Sequence, residues 1–365
     1  MISILADDAI PYLDGIFPDT QQARLIKRPG REIHPGDLKG IDALLLRTVT
    51  QVNHGLLARS SVRYIATASA GFDHFNLADL KDLDIDWYAA QGCNARAVAE
   101  YVISNIALLQ LHDKLPIHDA KVGIIGVGHV GSQVAQLLKI IGLTPVCYDP
   151  PRQLRDASFK SASLADIGQC QMLSCHLPLV RQGDDSTINF IDKLLDKLAD
   201  NSIILNAGRG ESLSLSAISR HPQHRYLLDV WDAEPNIDAN YLDLKQIELI
   251  TPHIAGYGVM GKYNATCMAT RWLADKLGVS YQPVSLPEAA ILNVNEAKTW
   301  QEVVLAAYDP RIDDAEVRKL LDGRVEPLRR NYLLRAPFSR RVKSNNRLKK
   351  NDKNILSKLD FNFFG

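Results

Sequence analysis

A guanidinium, a carboxylate and an imidazole stand in three short motifs between residues 206 and 257. Together they could oxidise a hydroxyl group next to a carboxylate. The motifs are Asn206-Ala207-Gly208-Arg209-Gly210, Asp229-Val230-Trp231-Asp232-Ala233-Glu234-Pro235 and Thr251-Pro252-His253-Ile254-Ala255-Gly256-Tyr257. Arg209 can grip a substrate carboxylate with two parallel hydrogen bonds. Neutral His253 can accept the hydroxyl proton as hydride departs. Glu234 can stabilise the imidazolium that results and fix which ring nitrogen is protonated. A histidine alone is more often structural, and an arginine alone more often a surface ion pair. The glycines flanking Arg209 suggest a close approach to a ligand, and the Gly256 turn and Glu234 favour chemistry for His253.

A hydride needs an acceptor, and one is indicated upstream. Val122-Gly123-Ile124-Ile125-Gly126-Val127-Gly128-His129-Val130-Gly131 contains G-x-G-x-x-G between an apolar run and a helical pattern. Gly126 allows the tight turn, Gly128 lets the backbone approach a pyrophosphate, and Gly131 lets helix and strand pack closely. The helix start at His129 and Val130 offers free N–H groups to phosphate. Asp149, at the end of the next strand, suits the ribose hydroxyls of NAD and would repel the 2′-phosphate of NADP. Arg152 nearby argues the other way. Asp229, ending a later strand, can bond the nicotinamide amide or cap a helix. His176, in Cys175-His176-Leu177-Pro178, reads as structural.

These residues need strand ends to hold them. Short Ile-, Val- and Leu-rich runs alternate with stretches of helical period, the pattern of an α/β protein with parallel sheets. Strands are expected at 2–5, 43–46, 64–67 and 85–88, and again at 121–125, 144–148, 172–175, 202–206, 226–230 and 247–250. Helices are expected at 54–58, 77–83, 95–112, 130–141, 191–198, 264–277, 300–307 and 314–321. The Gly-rich segment 256–261 closes the nucleotide unit. Pro283 and Pro287 mark a boundary near 285. The expected organisation is a substrate-binding domain over 1–93 with 264–284, an NAD-binding Rossmann domain over 94–263, and a small third domain over 285–365.

Composition narrows the partners. The 365 residues carry 42 Lys+Arg against 42 Asp+Glu, so no global charge points to nucleic acid or a membrane surface. The basic stretch 340–353 reads as a solvated loop. Five scattered cysteines without a Cys-x-x-Cys pair fit a reducing compartment. The N-terminus lacks the basic start of a signal peptide, and no apolar run reaches the roughly 20 residues of a membrane span. A cytoplasmic protein without a metal site is expected.

The constellation resembles the D-2-hydroxyacid dehydrogenase superfamily. Within it the chain is similar to the erythronate-4-phosphate dehydrogenase family of vitamin B6 biosynthesis. The runs that carry the likeness include Asp7-Asp8-Ala9-Ile10-Pro11-Tyr12, Arg47-Thr48-Val49-Thr50, Ala68-Ser69-Ala70-Gly71-Phe72-Asp73-His74, Tyr148-Asp149-Pro150-Pro151-Arg152, His253-Ile254-Ala255-Gly256-Tyr257, Tyr308-Asp309-Pro310-Arg311-Ile312-Asp313-Asp314 and Leu328-Arg329-Arg330-Asn331-Tyr332. The resemblance implies a Rossmann-type NAD domain, a flavodoxin-like substrate domain and a C-terminal α+β dimerisation domain, acting as a homodimer.

It implies NAD-dependent oxidation of 4-phospho-D-erythronate, with Arg209, Glu234 and His253 in the active site. Asp149, Asp229 and Gly256 would contact NAD, and Thr48, Ser69 and Tyr257 the substrate, in a cleft between domains. Leu177 stands where a cofactor-touching Thr is implied, so a backbone contact would remain. Gly208 replaces an implied Cys, and Ser69 an implied Thr. Arg47 is the first candidate for the substrate phosphate, with Arg340 or Arg341 of a second copy behind it. Other readings are a dehydrogenase for phosphoglycerate, glycerate or lactate, and a non-catalytic NAD-sensing regulator on the same fold.

Overall fold

Each of two parallel sheets carries chemical motifs at the ends of its own strands. The computed structural model describes all residues except Thr20, Pro235, Pro287, Leu321, Asp322, Ser344, Asn345 and Gly365. Pro235 of the Glu234 motif, Pro287 of the boundary near 285 and Leu321 at the end of an expected helix thus lie outside the described residues. The chain divides into two compact units, Met1–Asn94 with Val259–Glu288, and Ala95–Gly258 with Ala289–Gly365.

In the first unit, β1 (Ile2–Asp7), β2 (Ala23–Arg28), β3 (Ala43–Leu46), β4 (Tyr64–Thr67) and β5 (Asp86–Ala89) form a sheet in the order β2-β1-β3-β4-β5. That is the flavodoxin-like order, whose switch point lies between β1 and β3. All its pairings are parallel. β3 is buried along its whole length, as a continuous apolar run requires. β2 went unread in the sequence. It pairs only with β1 at the sheet edge and carries Arg24, Lys27 and Arg28, so it has neither alternation nor an apolar run. The helix Val259–Leu277 buries Ala265, Ala269, Leu273 and Ala274 in the same core as β1 and β3. It starts five residues before the expected 264, and it buries Gly261 within its first turn.

In the second unit, β6 (Lys121–Ile125), β7 (Thr144–Tyr148), β8 (Met172–Cys175), β9 (Ile203–Asn206), β10 (Arg225–Leu228) and β11 (Ile247–Ile250) form a sheet in the order β11-β10-β9-β8-β6-β7. Every pairing is parallel. The chain passes from β6 to β7 on one side, then crosses to β8 on the other. This places the topological switch point at the C-terminal ends of β6 and β8, where doubly wound sheets bind their ligands.

The helix Ala95–Leu111 is buried around nearly its whole circumference, as an all-round apolar helix must be. One face meets the sheet core. Another shares a cluster with Trp300, Val303 and Val304 of the helix Trp300–Ala307. The segment expected as a separate third domain therefore lies, from Ala289 onward, in one compact unit with the nucleotide sheet. Its remaining elements are the helices Pro310–Arg318, Glu326–Arg330 and Lys350–Lys358 and the strand pair β12 (Arg341–Lys343) and β13 (Asn362–Phe364). The helix expected at 314–321 begins at Pro310. Asp309 caps it by accepting from Arg311 N at 3.0 Å, and proline suits the first helical position.

Candidate active site

Because the strands of the second sheet are parallel, Gly126, Asp149, His176, Arg209, Asp229 and His253 all follow strand C-termini and collect along one edge. The fingerprint fits a dinucleotide. Gly126 has φ +86, and a Cβ there would lie 2.9 Å from His176 O across the switch point. A Cβ at Gly131 would lie 2.2 Å from Gly126 O. The protein's own packing demands both glycines. A Cβ at Gly128 would meet nothing within 4 Å, so that face of the turn stays open for a ligand's close approach. The helix His129–Ile140 starts there without a side-chain cap, leaving N–H groups for a pyrophosphate.

Asp149 closes the same turn. Its Oδ2 accepts from Val127 N at 2.8 Å and its Oδ1 from Arg152 N at 2.9 Å, capping the helix Pro150–Arg155. Arg152 is committed elsewhere. It pairs with Asp156 at 3.1 Å, donates to Val127 O at 2.6 Å, and lies 4.4 Å over the Phe159 ring. It braces the turn, so the sequence argument that it favours a 2′-phosphate loses its basis. Burial pushes His176 down to about 3, and its Nε2 meets Ser174 Oγ at 2.9 Å. A histidine held neutral in that way fits the structural reading.

The glycines beside Arg209 have a different cause from the one expected. A Cβ at Gly210 would fall 1.8 Å from Trp231 O, and one at Gly208 would fall 2.8 Å from Leu177 N. Both glycines serve close backbone packing against neighbouring strand ends. The Arg209 loop is thereby wedged between the β8 and β10 ends, and Nη1 of Arg209 donates to Gly208 O at 3.0 Å. Leu177 and Gly208, two of the three departures from the implied pattern, lie against one another.

His253 Nδ1 lies 2.6 Å from Glu234 Oε2. This fixes the neutral tautomer with Nδ1 protonated and leaves Nε2 as the basic nitrogen. Burial pushes the Glu234 carboxyl up, but the His253 charge and hydrogen bond, with Arg329 behind them, outweigh it and hold the group below its ordinary value. His253 has φ +56, a left-handed conformation that costs a non-glycine residue about 1–2 kcal/mol. Asp229 holds it there. This buried carboxylate accepts from Ile254 N at 2.8 Å, Ala255 N at 2.9 Å and Thr251 Oγ1 at 2.7 Å. Burial raises its carboxyl above the usual range against the pull of His253 and these donors. Both oxygens are thus engaged with the 251–255 loop, a role beside the two alternatives that the sequence offers for Asp229, a nicotinamide contact or a helix cap.

The comparisons bear on this geometry. Residues 107–255 match the family described as D-isomer specific 2-hydroxyacid dehydrogenase, NAD binding domain. An erythronate-4-phosphate dehydrogenase of Coxiella burnetii (strain RSA 331 / Henzerling II) is 37% identical over 349 residues, covering 93% of this chain and 94% of that one. The enzyme of the same name from Escherichia coli O81 (strain ED1a) is 35% identical over 355 residues, covering 93% of each. The chain belongs to the erythronate-4-phosphate dehydrogenase family. Its fold is also that of an NAD-bound 3-phosphoglycerate dehydrogenase from Entamoeba histolytica, with a TM-score of 0.62 at 19% identity over 76% of this chain and 95% of that one. Part of this chain therefore has no counterpart there.

As a member of the family, the chain is an NAD-dependent dehydrogenase of small hydroxy acids. Among the described residues, no helix is long and apolar enough to cross a membrane. Replacing Asp149 by Ala tests the expected ribose contact, since it removes the carboxylate and its bond from Val127 N together. NAD binding should weaken roughly tenfold, and the kcat/KM preference for NAD over NADP should shrink. A parent protein that already uses both equally would discard this role for Asp149.

In the first unit, Ser69 Oγ lies 2.6 Å from Thr67 Oγ1 and donates to Gly71 O at 2.9 Å, and Thr48 is exposed after β3. Arg47 makes a two-point ion pair with the buried Asp7, Nε to Oδ2 at 2.9 Å and Nη2 to Oδ1 at 3.1 Å. A Cβ on Gly30 would fall 2.1 Å from Asp7 Oδ2, so glycine there leaves room for the carboxylate. The pair explains Arg47 without a ligand. Sequence reading also passed over Arg329, whose Nη2 donates to Tyr257 Oη at 3.4 Å. Only its place in the quoted 328–332 run marked it.

Proposed function

We propose that this chain oxidises 4-phospho-D-erythronate at C2 to 3-hydroxy-2-oxo-4-phosphooxybutanoate, a step towards pyridoxal 5′-phosphate. The carrying observation is the 2.6 Å His253–Glu234 pair at the edge of an NAD-binding sheet, in a chain 37% identical to a protein named for that substrate. NAD, when bound, supplies the hydride acceptor. Nε2 of His253 takes the hydroxyl proton, Glu234 stabilises the imidazolium, and Arg209 holds the substrate carboxylate.

Gly126, Gly128, His129, Val130, Gly131, Asp149, Leu177, Gly208 and Gly256 make the cofactor contacts, with Asp229 acting through the loop it holds. Thr48, Ser69 and Tyr257 contact substrate. Arg47, its charge matched by Asp7, would offer a phosphate the N–H donors of Nη1 and Nη2 that the pair does not use. Residues 285–365 carry a homodimer contact, a reading supported by the family resemblance of the 308–314 and 328–332 runs. The cysteines, all free, support the cytoplasm as location.

The test mixes purified protein, NAD and 2-oxoglutarate with 4-phospho-D-erythronate, and follows substrate loss by mass spectrometry. The oxo acid guards against a cofactor that stays bound as NADH. The phosphate-free acid and 3-phosphoglycerate run in parallel. Selective loss of the four-carbon phosphate is expected. Turnover of another hydroxy acid alone would reassign the substrate. A protein that binds NAD and turns over none would be a regulator.

A further inference from the structure

The loop that carries His253 is gripped from two sides, and the second grip comes from the C-terminal segment. Asp229 takes the N–H groups of Ile254 and Ala255. The carbonyls of the same two residues face the other way. Arg335 meets both: Nη1 donates to Ile254 O at 2.9 Å, and Nη2 donates to Ala255 O. Nη2 also reaches Ala97 O, at 3.4 Å, on the helix Ala95–Leu111. The Arg335 backbone joins in, since its N–H donates to Tyr257 O at 3.2 Å and it forms a parallel bridge with Gly258.

Arg335 is itself held. Its guanidinium lies 4.4 Å over the Tyr308 ring and 5.8 Å from that of Tyr101. Tyr308 and Tyr332 both donate to Asp313 Oδ2, at 2.7 and 3.0 Å. On the opposite side, Tyr101 Oη and Thr251 Oγ1 are 2.8 Å apart, and Thr251 donates to Asp229. Two residues next to a left-handed histidine are thus fixed through both their N–H and their C=O groups, and the Ile254–Ala255 peptide is held at both of its ends. The charges have the matching sense, anion on the donors and cation on the acceptors.

We propose that Arg335 is a positioning residue for proton transfer, aiming His253 by holding the carbonyls of Ile254 and Ala255 against the pull of Asp229. The proposal rests on His253 being the base. It gives the 289–365 segment a part in the chemistry of its own chain, beyond any contact between copies. The physical reason is steep: displacing a catalytic group by about 1 Å can cost about 10²-fold in rate, and a positive φ on histidine relaxes once its restraints go.

The test compares parent, R335K, R335M and H253Q, with activity counted per NADH-binding site so that unfolded protein is left out. R335M keeps the side chain's bulk and loses every side-chain donor. R335K keeps a cation over Tyr308 and loses the fork that spans two carbonyls. The expected result is a kcat about 10²-fold lower in R335M, partly recovered in R335K, with NADH affinity unchanged and the pH–rate profile displaced in both. A merely structural brace would lower the number of binding sites and leave kcat per site and the pH profile where they were. That result overturns the proposal, as would failure of both Arg335 variants to fold, which would make Arg335 a folding residue. H253Q separates the two claims. If it keeps full turnover, the base is elsewhere. If it loses turnover while R335M does not, only the clamp is lost.

Discussion

His253→Gln should lower kcat for hydroxy-acid oxidation by about 10²–10⁴-fold while NAD still binds. The range is what a positioned general base contributes. Glutamine keeps a donor for Glu234 but has no nitrogen that can accept and hold a proton at Nε2. The dinucleotide site should survive, because its turn rests on the close packing of Gly126 and Gly131 and on the bond from Val127 N to Asp149. The control is NADH fluorescence together with a thermal melt, since residue 253 must still adopt φ near +56. Turnover per NADH site within a few-fold of the parent would remove His253 from the mechanism. A parent that binds NADH and turns over no hydroxy acid would instead favour the regulator reading.

Much of this site could be read from the sequence because its parts are local. Gly126, Gly128 and Gly131 lie within six residues, with a strand before them and a helix after, and the structure puts them at the switch point that this order dictates. His253 and Glu234 are short motifs after strand ends, and parallel strands bring such ends to one edge whatever lies between. Four things were not legible, and each depends on long-range contact. β2 is a strand only because β1 offers it an edge. Arg47 looked like a phosphate ligand because Asp7, forty residues away, had to be placed beside it by the β1–β3 pairing.

Gly208 and Gly210 announced a close approach but not of what, and the answer is backbone. Arg335 is the extreme case. It sits 80 residues from Ala255, in a segment whose sequence reads only as an accessory domain. Local pattern identifies which groups can do chemistry. What holds them is set by topology, which sequence spacing does not record.

Glu234→Gln tests the other half of the pair, and its signature is pH dependence. The structure holds the Glu234 carboxyl below its ordinary value, because the charge and hydrogen bond of His253, with Arg329, outweigh the effect of burial. A carboxyl depressed in the folded state contributes stability that is fully present above its unfolded value and is lost as pH falls through the folded one. The parent should therefore lose part of its stability on acidification below the ordinary carboxylate range, and E234Q should lack that component.

Catalysis moves in a related way. Gln can still accept a hydrogen bond from Nδ1–H, so the imidazole keeps its tautomer, but the negative charge that stabilised the imidazolium is gone. Oxidation then proceeds to a less stable protonated histidine. The kcat should fall roughly tenfold to a hundredfold, the worth of a hydrogen bond to a charged group. Two readouts separate charge from folding. Counting kcat per NADH-binding site leaves unfolded protein out, and the acid stability profiles of parent and E234Q report on the carboxyl itself. A kcat per site within a few-fold of the parent would leave Glu234 a structural neighbour of His253 and take the charge out of the mechanism.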